Sequence, residues 1–160
     1  MARPDADSFA REWVAAWNDH DLDAVLSHYA DGVVFHSPRI ALVMGTDEDF
    51  LTGKAGLRKY WQAAMASASD LYFELEDVLT GSDAITLLYT NHRGQNAAET
   101  FIFDEDGNVV DANVLDPQDN FLYRVGVAMY HAVMPLTEIL IYHESKPGPF
   151  VGGSDSVVHV

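Results

Sequence analysis

Apolar residues recur at helical spacing along the first third of the chain. Phe9, Trp13, Ala16 and Trp17 stand at i, i+4, i+7 and i+8, one face of a 3.6-residue period. The polar run Asn18-Asp19-His20-Asp21 breaks the pattern, and Asp21 is placed to cap a second, shorter helix with Leu22, Val25, Leu26 and Tyr29 on one side. Asp31-Gly32 turns the chain into a short strand, Val33-Val34-Phe35-His36, ended by Pro38. A third helix is predicted after Thr52-Gly53, with Leu57, Tyr60, Trp61, Ala64 and Met65 on one face. Residues 39–52, an apolar run from Ile40 to Met44 followed by Asp47, Glu48 and Asp49, read as a long loop, either a flap over a pocket or an acidic, solvated segment.

Beyond Ala68 the period becomes two. Leu71, Phe73 and Leu75 alternate with Tyr72, Glu74 and Glu76, and after the Gly81-Ser82-Asp83 turn Ile85, Leu87, Tyr89 and Asn91 share one face. Asn96 to Phe103 forms a third strand, Asp104-Glu105-Asp106-Gly107-Asn108 a hairpin turn, and Val109 to Leu115 the returning strand. Three helices followed by an antiparallel meander predict an α+β fold, with the helices on one face of a sheet. Phe121 to Met134 and Leu136 to His143 read as two further strands, and Lys146-Pro147-Gly148-Pro149 and Gly152-Gly153-Ser154 as a flexible tail.

Composition narrows the function. The 160 residues are 48% hydrophobic, enough for a core without covalent staples. With no cysteine, a disulfide scaffold, a thiol nucleophile and a thiolate zinc site are excluded. Nine Lys and Arg against 25 Asp and Glu give a net charge of −16, which repels nucleic-acid phosphates and anionic membranes. The longest apolar stretch, Val125 to Tyr142, is interrupted by His131, Pro135 and Glu138, and no signal peptide is visible, so a soluble cytoplasmic protein is expected. His131, His143 and His159 lack the spacing of metal ligands.

Four motifs, in this order and spacing, carry a resemblance. They are the stretch from Phe9 to Asn18 leading into Asp21-Leu22-Asp23-Ala24-Val25; Tyr29-Ala30-Asp31-Gly32-Val33-Val34-Phe35; Gly53 to Trp61; and Glu99 to Gly107. Together the motifs resemble the nuclear transport factor 2-like superfamily and, within it, the SnoaL-like proteins and ketosteroid isomerases. The resemblance covers a domain at residues 6–116. It leaves 117–160 as a C-terminal extension, supplying extra strands, a lid or a swapped segment. It implies a cone-shaped curved antiparallel sheet around the N-terminal helices, with an apolar pocket at the open end. It also implies a homodimer through the outer face of the sheet, a small hydrophobic molecule as partner, and no cofactor. Trp13, Trp17, Tyr29, Phe35, Trp61, Tyr89 and Phe101 would line the pocket, although each also fits ordinary core packing.

Carried over position by position, the ketosteroid isomerase machinery is incomplete. The tyrosine donor falls on Trp13, the aspartate base on Ser37 and the protonated aspartate on Glu99, which argues against a steroid-type isomerase. Glu99 shares parity with Ala97, Phe101 and Phe103 and would enter an aromatic cavity as the acid–base group, or else sit on a rim bonded to Asn91, Asn113 or Arg93. His36 adjoins the vacant base position. Strict alternation with Phe35 points it outward, and a bulge before Pro38 would turn it inward as a catalytic partner. Asn91 would orient a substrate carbonyl. The expectation is cofactor-free proton-shuttle chemistry, namely cyclisation, isomerisation or dehydration of a polyketide-like carbonyl compound. A non-catalytic ligand-binding or dimerisation module is the alternative. An epoxide hydrolase-like site built on Arg93 and Glu99 is a second.

Overall fold

The computed structural model describes residues 3–115. Asp5 opens helix α1 (Ala6–Asn18), its carboxylate accepting the Ser8 N–H at 2.9 Å. Asp21 caps α2 (Leu22–Ser27) as the sequence suggests, accepting from Ala24 N at 3.0 Å. Strand β1 (Tyr29–His36) begins earlier than expected: Tyr29 belongs to it and not to α2, because α2 ends at His28. The segment after Pro38 is no plain loop. It holds a one-turn helix α3 (Ile40–Met44) with Ile40 fully buried, and a short strand β2 (Phe50–Thr52) paired antiparallel to the end of β1. Helix α4 (Lys54–Ser67) follows Gly53, which has φ +81° and where a β-carbon would come within 3.3 Å of the Asp31 carbonyl oxygen.

Strands β3 (Phe73–Thr80), β4 (Ala84–Asn91), β5 (Asn96–Phe103) and β6 (Val109–Leu115) form the expected meander. Asp104 builds the β5–β6 turn by accepting the N–H groups of Asp106 and Asn108, with Gly107 at φ +82°. The six strands lie in the order β2-β1-β6-β5-β4-β3, and the end strands do not pair, so the sheet stays open. It is antiparallel except at β1–β6, a parallel pair joined through the long crossover that contains α4 and β3 to β5. Register shifts in β1–β6, β3–β4 and β5–β6 mark bulges, which bend the sheet around the helices.

The concave face carries the core. Phe9 meets Phe101 and Phe103 edge to face at 5.0 and 5.1 Å, and Trp13 stacks on Phe73 at 5.8 Å. The Asn18 side chain pins α1 to β3, donating to the Phe73 carbonyl at 2.9 Å and accepting its N–H at 2.8 Å. Among the described residues no helix is long and apolar enough to cross a membrane. The strands expected at 121–143, the tail, and His131, His143 and His159 lie outside the described residues.

Candidate functional site

The concave face is packed solid at one end and open at the other. A cavity of about 160 Å³ lies between α4, the end of α1 and the sheet. Its walls are aromatic: Trp17 from α1, Tyr60 and Trp61 from α4, Phe35 from β1, Phe73 from β3 and Tyr89 from β4. Trp17 meets Trp61 edge to face at 5.2 Å, and Trp61 meets Phe35 in the same way at 5.5 Å.

Glu99 forms part of this wall. It sits mid-strand on β5 and mid-sheet, opposite Leu87 on β4 and Val114 on β6, and its residue is only 3% exposed. Strand alternation places it on the same face as Phe101 and Phe103, as the sequence reading expected of a cavity carboxyl. Its Oε2 accepts from the Tyr89 hydroxyl at 3.5 Å, while Oε1 has no hydrogen-bond partner among the described residues. Burial pushes its pKa up to about 8, against smaller opposing effects from the Tyr89 and Tyr29 hydroxyls. The carboxyl is therefore predominantly neutral at pH 7. It is not a rim carboxylate: Asn91 and Arg93 make no hydrogen bond to it.

Behind Glu99 lies a dry supporting layer. The Trp13 indole N–H donates to the Tyr29 hydroxyl at 3.1 Å, and that hydroxyl acts in turn on Glu99. Burial holds the Tyr29 phenol well above its ordinary range, and the Glu99 charge adds to this. Trp13, Tyr29 and Phe101 are thus fully buried in the core and are not among the residues that line the cavity. The reason is depth. One turn of α1 separates Trp13 from Trp17, enough to move an indole from the mouth into the packed base.

His36 lies where strict alternation with Phe35 puts it. Phe35 and Ser37 face the cavity, so strict alternation turns His36 to the convex face. There its imidazole is 40% exposed, with Nε2 3.7 Å from Asp111, and no bulge intervenes between Phe35 and Pro38 to reverse it. Asn91 does border the cavity, but its side chain is committed to the β4–β5 turn, where Oδ1 accepts from the Arg93 and Gln95 N–H groups.

Several residues at the cavity were given no functional role by the sequence. Ser37, in the vacant base position, is buried with Oγ 3.4 Å from the Tyr60 hydroxyl. Burial raises the Tyr60 pKa, against opposing effects from Ser37 and the Arg39 charge. His92 also borders the cavity, its side chain 11% exposed and Nε2 3.9 Å from Asp70. It belongs to the His92-Arg93-Gly94-Gln95 turn between β4 and β5, and a turn has no periodicity from which to infer direction.

A SnoaL-like domain profile matches residues 10–114, about two-thirds of the chain. The chain belongs to the SnoaL-like family. A SnoaL-like protein of unknown function from Burkholderia thailandensis is 42% identical, with a TM-score of 0.65 over 69% of this chain and 93% of that one. Two more distant structures share the fold. One is TerC co-crystallised with polyporic acid, at 13% identity and TM-score 0.60 over 71% of this chain and 92% of TerC. The other is IdmH, a proposed polyketide cyclase from Streptomyces antibioticus, at 15% identity and TM-score 0.56 over 73% of this chain and 95% of IdmH. No curated protein shows significant sequence similarity to the chain. The α+β architecture and open, bent sheet belong to the fold these structures share, and function is argued from the side chains of the cavity.

Proposed function

We propose that the cavity binds a small aromatic carbonyl compound of polyketide-like character and catalyses its cyclisation, isomerisation or dehydration by acid–base chemistry, without a cofactor. The observation that carries this reading is a buried carboxyl of raised pKa in an aromatic wall, with one oxygen unpartnered among the described residues. Such a group donates a hydrogen bond to a carbonyl oxygen from an environment that excludes competing water.

In a cyclisation, the nucleophilic carbon of the ligand forms a bond to the carbonyl carbon, and the π pair moves to oxygen. The Glu99 proton goes to that oxygen. The carboxylate left behind, stabilised by the Tyr89 hydroxyl, takes up the proton released from the nucleophilic carbon and so regenerates the acid. Trp17, Trp61 and Phe35 supply flat apolar surface for the ring. His36 has no part in this scheme. A homodimer through the convex face, where His36, Phe50 and Asp111 are partly exposed, completes the proposal.

A second reading, a carrier without turnover, draws on Ser37 and Tyr60 standing where a dedicated carboxylate base would be expected. Turnover of aromatic ketones by wild type and Glu99→Gln separates the two. The enzyme reading expects quenching of tryptophan fluorescence by ligand in both proteins, and a loss of turnover of about 100-fold or more in the variant. Wild-type rate should fall as pH rises through about 8, where Glu99 loses its proton. Unchanged turnover in the variant would sink the assignment of Glu99, and binding without turnover across a broad carbonyl panel would establish the carrier.

A further inference from the structure

Two arginines border the cavity of a strongly negative protein. Arg39, at the start of α3, and Arg93, in the β4–β5 turn, both border the same cavity. Neither guanidinium forms an ion pair or a side-chain hydrogen bond among the described residues. Two other cations of the domain do find carboxylates, Lys54 with Asp31 and Arg58 with Asp23. Arg39 acts into the hollow as well, since its charge favours ionisation of Tyr60 in the wall. Glu99, the carboxyl among the described lining residues, has its pKa raised to about 8 by burial and forms no ion pair with either arginine.

Size sets what reaches them. An apolar cavity of about 150 Å³ holds one benzene ring, so the roughly 160 Å³ here takes about one ring, and the remaining atoms of a ligand extend to the mouth. We propose that the ligand of this cavity is an aromatic acid, its ring against the wall that Trp17, Trp61 and Phe35 form and its carboxylate held by Arg39 and Arg93. A guanidinium is suited to this because its planar fork matches a carboxylate. The local positive charge also offsets the repulsion that an anion meets from a protein of net charge −16. The inference rests on the binding reading of the cavity and adds the charge of the ligand to it.

Calorimetric titration with cinnamate and with cinnamamide, which share the ring and differ in charge, tests it. Wild type should bind cinnamate about tenfold more tightly, the effect of one charge-assisted contact at a partly exposed site. That preference should shrink as salt is added and fall below about twofold in Arg39→Gln/Arg93→Gln, while Arg39→Lys/Arg93→Lys retains part of it. Equal binding of the two probes by wild type would overturn the proposal and leave the cavity reading intact. A preference that persists in the glutamine variant would overturn the assignment to these two arginines. Binding of neither probe would overturn the cavity reading, and this inference with it.

Discussion

The two ends of the concave face are built from the same kind of residue and do opposite things. At the base, Phe9, Trp13, Phe101 and Phe103 interlock with every ring covered. At the mouth, Trp17, Tyr60 and Trp61 are also almost fully buried, yet each presents part of its surface to a hollow. An aromatic side chain is therefore neither core nor pocket by nature. The number of sides on which neighbours arrive decides, and at the mouth the bent sheet and α4 do not close together. Polar groups follow the same division. The Trp13 indole is satisfied by Tyr29, whereas Trp17 Nε1 and Glu99 Oε1 are buried without partners among the described residues.

Mutation at the two ends should separate them. Trp13→Ala should cost about 3–5 kcal/mol in chemical denaturation, because its neighbours cannot collapse around the space left. Trp17→Ala should cost clearly less, since its ring already borders open volume. Equal losses would break the contrast.

A pH series of equilibrium unfolding sharpens it next. Glu99 ordinarily titrates near 4.5, and burial raises it to about 8 in the folded chain, so between these values the native state holds one more proton than the unfolded state. Its contribution is fully present below about pH 4.5 and is lost as pH rises through about 8. Between pH 5 and 8 wild type should lose roughly 4 kcal/mol relative to Glu99→Gln. Parallel curves for the two proteins would mean that the carboxyl is solvated.

The smallest effect belongs to the seam. Asn18→Ala removes both hydrogen bonds to Phe73, whose ring stacks on Trp13 on one side and borders the cavity on the other. A loss of about 2 kcal/mol is expected, with weaker ligand binding. Loss of stability with binding unchanged would show that the two ends are independent.

Much of this was legible in the chain. The Asp21 cap, the Asp104–Gly107 turn and the alternation that sends Glu99 to the face of Phe101 are local, each resolved within a few residues. The segment 39–52 was less so, because a one-turn helix and a three-residue strand are too short to establish a period, and β2 exists only by pairing with β1. His36 was ambiguous for a related reason: alternation alone pointed it outward, but whether a bulge intervened depended on β2 and β6 holding the register.

The sequence by itself determined the order of helices and strands, the family likeness and the carboxyl on the inner face, since periodicity and capping act between near neighbours. Tertiary structure alone decided which tryptophan walls the hollow, that β1 and β6 run parallel, that Arg39 and Arg93 border the same cavity, and that burial raises the Glu99 pKa. Those properties depend on what distant segments bring alongside, and on how completely they exclude water.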